Sequence, residues 1–179
     1  MTMHHIASGV ASGSNTIDFA NIPQTYAHLQ LRVSGRSTWT GGNNANLYVT
    51  LNANTTTTNY AAHAFNGDGS TPVVQAFTSS SGIGYYVAYH ALPTATAGAN
   101  IFGSVILDIF DYTNTSKNKV GKMIYGNDRN GSGIVGQSSS LFMQTGAVTS
   151  LQIGADITLT AGSRADLYGI TSSPIPTGA

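Results

Sequence analysis

Few side chains in this sequence could ligate a metal or move a proton. Its 179 residues include five histidines (His4, His5, His28, His63 and His90) and seven acidic residues, all aspartate, with no glutamate and no cysteine. Any metal site would therefore have to be assembled from His and Asp. No ligand spacing is present. His4 and His5 are adjacent, so on an extended chain they point to opposite sides and do not share one ion. His28 and His90 have apolar neighbours, where a hydrogen-bonded, partly buried imidazole is the simpler reading. A carboxylate pair for glycoside hydrolysis reduces to Asp108 with Asp111 or Asp128. Asp108 can instead face a basic side chain of the Lys117 to Lys122 segment, and Asp111 opens a turn, which gives both a structural purpose.

Other motifs are equally spare. Asn66-Gly67-Asp68-Gly69-Ser70 has the look of a calcium loop but lacks the bidentate glutamate and the ligand spacing, so a turn is expected. No Gly-x-Ser-x-Gly elbow sits in a strand-to-helix setting, and Gly35 to Gly42 contains no phosphate-loop lysine. Aromatic side chains could stack on sugars. Tyr48, Tyr60, Tyr85, Tyr89 and Tyr125 fall inside strand patterns and read as packing or subunit-contact residues, leaving Trp39, in a Gly/Thr-rich loop, as the exposed aromatic. We therefore expect no catalytic residue, no metal and no cofactor, and assign no contact residue.

The elements that would carry these residues are strands. Thr, Gly, Ser and Asn together supply 76 residues and lysine only three, a composition that suits strands and turns and starves exposed helices. Leu29, Leu31 and Val33 alternate with polar residues, and Leu47, Val49 and Leu51 repeat the pattern. Tyr85 to His90 is a further strand, stopped by Pro93. In Asn100 to Tyr112, Val105, Leu107 and Ile109 point one way while Ile106, Asp108 and Phe110 point the other, so both faces are mostly apolar and the strand is central. Asn114-Thr115-Ser116 turns the chain into a partner strand, Val120 to Tyr125, and Asn127 to Gly133 forms a polar loop. Thr55 to Thr58 is a solvated loop tip before the Tyr60 strand. Leu141 with Met143, Leu151 with Ile153, Ile157 with Leu159, and Ala165 to Ile170 complete eight to ten strands. The expectation is one all-β domain, an antiparallel β-sandwich over residues 1–171, with a Pro-containing tail over 172–179.

Formal net charge is zero and no basic run occurs, so neither nucleic acid nor an anionic membrane is an expected partner. No apolar run is long enough for a spanning helix, and no signal is visible at Met1-Thr2-Met3-His4-His5, so a soluble, non-exported chain is expected.

The order of segments resembles a family of virion structural proteins of tailed bacteriophages. The likeness rests on Ile22-Pro23-Gln24-Thr25-Tyr26-Ala27-His28-Leu29-Gln30-Leu31, then Leu51-Asn52, Asn59-Tyr60 and Asn66-Gly67-Asp68-Gly69-Ser70. It continues through Ile106-Leu107-Asp108-Ile109, Asp111-Tyr112, Lys117-Asn118-Lys119 and Ser163-Arg164-Ala165-Asp166-Leu167-Tyr168-Gly169-Ile170, and covers residues 6–171. One departure is Leu141 to Ala147, where the family carries an aromatic-rich segment. The resemblance implies a jelly-roll β-sandwich within a phage particle and brings no catalytic residues.

Two functions follow as expectations. The first is a capsid decoration (cement) protein, a homotrimer on the outer capsid surface that binds the phage major capsid protein after synthesis in the bacterial cytoplasm. The second is a tail or tail-fibre receptor-binding module that grips host polysaccharide, through Trp39 and tyrosine-bearing loops. A carbohydrate-processing enzyme would need an acid and base pair and has the least support.

Overall fold

The computed structural model describes residues 2–12, 16–77 and 86–171. They form twelve strands: β1 (Thr2–Val10), β2 (Ile17–Phe19), β3 (His28–Gly35), β4 (Asn44–Leu51), β5 (Tyr60–Gly67), β6 (Pro72–Phe77), β7 (Tyr86–Pro93), β8 (Gly103–Phe110), β9 (Lys119–Asp128), β10 (Gly133–Phe142), β11 (Leu151–Ala155) and β12 (Arg164–Thr171). The one helical element among these residues is a 3-10 turn at Thr57–Asn59, so no described helix is long and apolar enough to cross a membrane.

The fold is an antiparallel β-sandwich of unequal layers. One sheet has eight strands in the order β1-β12-β3-β8-β9-β10-β5-β6, and the other has four in the order β2-β11-β4-β7. Alternation decides which side chains lie between them. Leu29, Leu31 and Val33 of β3, Val105, Leu107 and Ile109 of β8, Met123 and Tyr125 of β9, and Leu167 of β12 meet Leu47, Val49 and Leu51 of β4 and Leu151 and Ile153 of β11 in one buried core. Tyr60 stacks on Phe142 with ring centres 4.7 Å apart and meets Tyr86 edge-on. Gly121 makes room for that cluster, since a Cβ there would lie 2.6 Å from the Tyr86 ring.

The smaller sheet ends at β7, whose open side is closed by side chains of the larger one. Ser138 Oγ donates to the Val87 carbonyl at 2.8 Å, Asn66 Nδ2 to that of Tyr89 at 3.1 Å, and Asn127 Nδ2 to that of His90 at 3.0 Å. Beside this seam, Ala62, Ala64, Phe77 and Val87 form a second small core. Two cations are also internal. Lys119 is fully buried and its ammonium donates to the carbonyls of Asn114, Lys117 and Thr145 at 2.6 to 2.8 Å. The Arg36 guanidinium donates to the carbonyls of Gly98, Ile101, Ala95 and Ala97, holding the 94–102 loop by its main chain. Burial holds the Lys119 amine below the ordinary lysine range.

Several expectations are corrected. Twelve strands replace eight to ten, because β1, β2 and β6 carry no clean alternation: β2 is three residues long, and β1 and β6 are exposed on both sides over most of their length. Ile157 and Leu159 do not make a strand, since Ile157 adopts φ 67° and Leu159 forms only an isolated bridge to Ser37. In β10 the phase is opposite to that expected, with Phe142 buried and Leu141 and Met143 only partly so. β7 ends at Pro93 as expected, three residues beyond His90. Tyr85 and the 172–179 tail lie outside the described residues.

Two outcomes test this packing. Leu107 is fully buried at the centre of the larger sheet, and Leu107→Ala is expected to cost about 2 to 5 kcal/mol in urea unfolding. A loss below about 1 kcal/mol contradicts its placement. Burial also pushes the Tyr60 and Tyr125 phenols up to about 12 and raises that of Tyr86 as well. A phenol raised above its unfolded value of about 10 contributes its full stabilisation below that pH and loses it as pH climbs toward the folded value. The urea midpoint is therefore expected to hold up to about pH 9 and to fall between about pH 10 and 12, and a flat midpoint across that window contradicts the burial of these rings.

Candidate interaction surface

Most of the residues singled out for chemistry lie apart and are engaged in local contacts. His4 stacks on Tyr26 and His5 Nε2 lies 2.8 Å from Ser8 Oγ, on opposite sides of β1. The Asp111 amide donates to His28 Nδ1 at 3.0 Å, and the half-buried ring meets Phe110 edge-on. His90 stacks on Tyr89 at φ 62°, and burial lowers its pKa. His63 is exposed on β5. Among the described residues no group of three or more His or Asp side chains could hold a metal.

The aspartates divide in the same way. Asp108 is the cross-strand neighbour of Lys122 and accepts from Gln30 Nε2 at 2.8 Å. Asp111, in the turn at φ 48°, pairs with Lys117 at 2.5 Å, which lowers its pKa. Asp128 accepts the Asn130 amide at 2.8 Å. In the 66–70 segment, Asn66 points into the seam, while Asp68 accepts the amides of Ser70 and Thr71, bonds that hold its carboxyl down at about 2. The segment is a turn, and the closest approach of an imidazole to a carboxylate among the described residues is His28 Nδ1 to Asp111 Oδ1 at 3.6 Å, where the carboxylate is already paired with Lys117.

Trp39 is a further correction. It is half-buried against the core, with Gly41 and Gly42 lying close against its ring, so it offers no open stacking platform. Tyr60 and Tyr125 are core residues, and Tyr48 is partly buried with its hydroxyl donating to Asp156. Among the described residues the exposed aromatic rings are those of Phe65 and Phe110 instead.

These two belong to a surface that alternation builds. The inward residues of the larger sheet are covered by the smaller sheet, and among the described residues nothing covers the outward ones. Strand register arranges these into rows. One row runs Met3, Ile170, His28, Phe110, Val120, Leu141 and Ala61. The next is polar, from His5 through Tyr168, Gln30, Asp108, Lys122, Ser139 and His63 to Ala76. A third runs Asp166, Arg32, Ile106, Ile124, Gln137, Phe65 and Val74. Phe65, Ile124 and Val74 are 56%, 55% and 79% exposed, which is unusual for side chains so apolar. Eight strands about 4.8 Å apart and three outward rows about 6.8 Å apart give a face of roughly 800 Å², about what one partner buries in a standard-sized protein interface. A groove of about 630 Å³ lies at its β5–β6–β10 end, lined by His63, Phe65, Val74, Ala76, Gln137 and Ser139 among others.

Charges on this face are paired locally. Arg164 contacts Asp166 at 2.6 Å, and the Arg32 guanidinium sits 5.4 Å from the Tyr168 ring centre. With Arg32, Lys122 and Arg164 against Asp108 and Asp166 the face carries little net charge, is apolar in bands, and is free of a buried ionisable group that could perform chemistry. A signal for it exists in the sequence: Ile106, Phe110, Val120 and Ile124 are out of phase with the buried residues of β8 and β9.

No family model matches the chain, and no curated protein matches it significantly. Among solved structures, an alginate lyase from Chlorella virus is similar at 7% identity over 93% of this chain and 83% of that one, with a TM-score of 0.29. Sheep galectin-11 in complex with glycerol is similar at 12% identity over 85% of this chain and 95% of that one, with a TM-score of 0.24. At these scores neither likeness bears on what this chain does.

If the outward apolar residues form a contact face rather than a core, the double variant Ile106→Ser, Ile124→Ser is expected to keep its unfolding free energy within about 1 kcal/mol of the parent while losing most binding of a hydrophobic dye. A loss of several kcal/mol would show instead that these side chains are packed.

Proposed function

We propose that the chain is a non-enzymatic structural protein of a tailed-phage particle, a capsid decoration protein of jelly-roll type that binds the assembled head through the outward face of its larger sheet. The observation that carries this reading is the uncovered face itself, with Phe65, Ile106, Phe110, Val120 and Ile124 exposed together. The residue order that resembles the phage virion family supports the setting, and the major capsid protein is the partner proposed. The engagement of His4, His5, His28, His90, Asp108, Asp111 and Asp128 in local contacts supports a binding role over a catalytic one.

The physical work of such a protein is mass action. A protein that binds the closed shell and not its free subunits stabilises the shell by about 2.7 kcal/mol per site at a free concentration one hundred times Kd. A chain of zero formal net charge suits this, because dense decoration of one shell then meets no long-range repulsion between copies.

The test is co-sedimentation of the purified protein with empty heads of the phage that encodes it. Saturable binding, a higher disruption temperature of the decorated heads, and loss of both in the Ile106→Ser, Ile124→Ser variant are expected. Absence of binding to heads, or retention on host cell-wall polysaccharide in its place, overturns the assignment to the capsid.

A further inference from the structure

A sheet edge presents unpaired main-chain donors and acceptors, and proteins that stay apart protect such edges with charge, brevity, bulges or covering groups. The described residues leave four edges, β1 and β6 on the larger sheet and β2 and β7 on the smaller. Three of them are protected. β7 has its carbonyls capped by Ser138, Asn66 and Asn127. β2 is three residues long and carries Asp18, whose carboxylate accepts from Gln152 and Thr16. β1 is broken by a bulge between His5 and Ala7, carries two imidazoles, and has its start tied by the Thr2 amide to Thr171 Oγ1.

β6 carries one guard, Pro72 at its first residue, which has no amide to offer, and none of these devices over Val73 to Phe77. Its sequence is Pro-Val-Val-Gln-Ala-Phe, with no charge, histidine or glycine, and all but Phe77 are exposed. Its register with β5 runs from Gly67↔Pro72 to Ala62↔Phe77 without a bulge. Its one side-chain hydrogen bond among the described residues is local, from Gln75 Nε2 to the Ala76 carbonyl at 3.3 Å. Among the described residues no strand lies on its outer side.

We propose that β6 is the edge through which two copies of this chain associate, pairing antiparallel with its own counterpart about a two-fold axis so that two eight-stranded sheets become one. Self-pairing is the occupant the chemistry favours. Opposed residues in an antiparallel pair share a face, so a two-fold axis passes through one residue. Centred on Val74, it sets Val74 against Val74 of the second copy and Val73 against Gln75. Centred on Gln75, it sets Val74 against Ala76 and Val73 against Phe77. Neither register opposes like charges, and both bring β-branched or apolar side chains together. The contact also continues the outward face across the axis, because Val74 and Phe65 end the same row. It gives a two-fold pair in place of the trimer expected from the sequence, and it does not rest on the virion reading, since a monomer could equally bind a head.

The test is sedimentation velocity over a dilution series of the full chain, together with Val74→Lys and Val74→Asp. Val74 is 79% exposed, so neither variant should alter folding, which unfolding midpoints check. The parent is expected to sediment at twice the 18.5 kDa chain mass and to dissociate on dilution. Each variant alone is expected to show a Kd raised about tenfold or more, and an equal mixture of the two to re-associate as Lys meets Asp across the axis, directly opposite in the Val74-centred register and as diagonal neighbours in the Gln75-centred one. A parent that is monomeric or trimeric throughout, association untouched by either variant, or a mixture that stays monomeric overturns the proposal. Head binding by the Val74→Lys monomer, measured separately, reads the virion assignment on its own.

Discussion

The smaller sheet of this sandwich has to stop, and how its last strand stops governs much else. β7 turns its carbonyls toward the larger sheet, and Ser138, Asn66 and Asn127 donate to them. A buried carbonyl left without a donor costs about 1 to 3 kcal/mol, so three side-chain amides and hydroxyls at this line fix where four strands end and eight continue. The larger sheet must curl toward β7 to make these bonds. That brings Ala62, Ala64 and Phe77 onto Val87 and leaves β6 at the rim with no cover on its outer side among the described residues. Small polar residues at this line are therefore as structural as the leucines of the core.

Unequal sheets also explain the face on which the functional proposal rests. A two-layer sandwich covers each sheet once, and the inward side of the larger sheet takes that cover. Its outward side bears apolar residues in two bands separated by a polar row, with several charges answered nearby: Asp108 by Gln30, Asp166 by Arg164, and Arg32 by the Tyr168 ring. A partner covering such a face meets these groups with their partners already in place.

Parts of this were legible in the residues. Leu29, Leu31 and Val33, and Val105, Leu107 and Ile109, declare their strands because strict alternation has one simple meaning in an all-β chain. The same rule reads Ile106 and Phe110 as a second apolar face, yet periodicity says nothing about which face finds a cover, and here it is theirs that lies open. Trp39 looks exposed from its Gly/Thr-rich loop, but the glycines beside it give the ring room to lie against the core. Leu141 and Met143 look like the buried pair of β10, and the ring stack of Phe142 with Tyr60 sets the opposite phase. Lys119 and Arg36 carry no sign of burial in the sequence: Arg36 is held by the carbonyls of the 94–102 loop, and Lys119 by Asn114 and Lys117 of its own turn closed over by Thr145. β6 and β1 escape notice for a related reason: an edge strand exposed on both sides has no alternation to display.

The caged ammonium of Lys119 has a practical side. Only three lysines occur in the chain, and this one is sealed behind the carbonyls of Asn114, Lys117 and Thr145. Amine-directed reagents therefore find two lysine handles on the folded protein, Lys117 at the 111–118 turn and Lys122 in the middle of the outward face. A cross-linker or fluorophore attached through these amines lands on or near the surface proposed to meet the partner. It reports contact there with unusual economy, and it also interferes there first, so labelled material read without an unlabelled control would mistake a blocked face for an inert one.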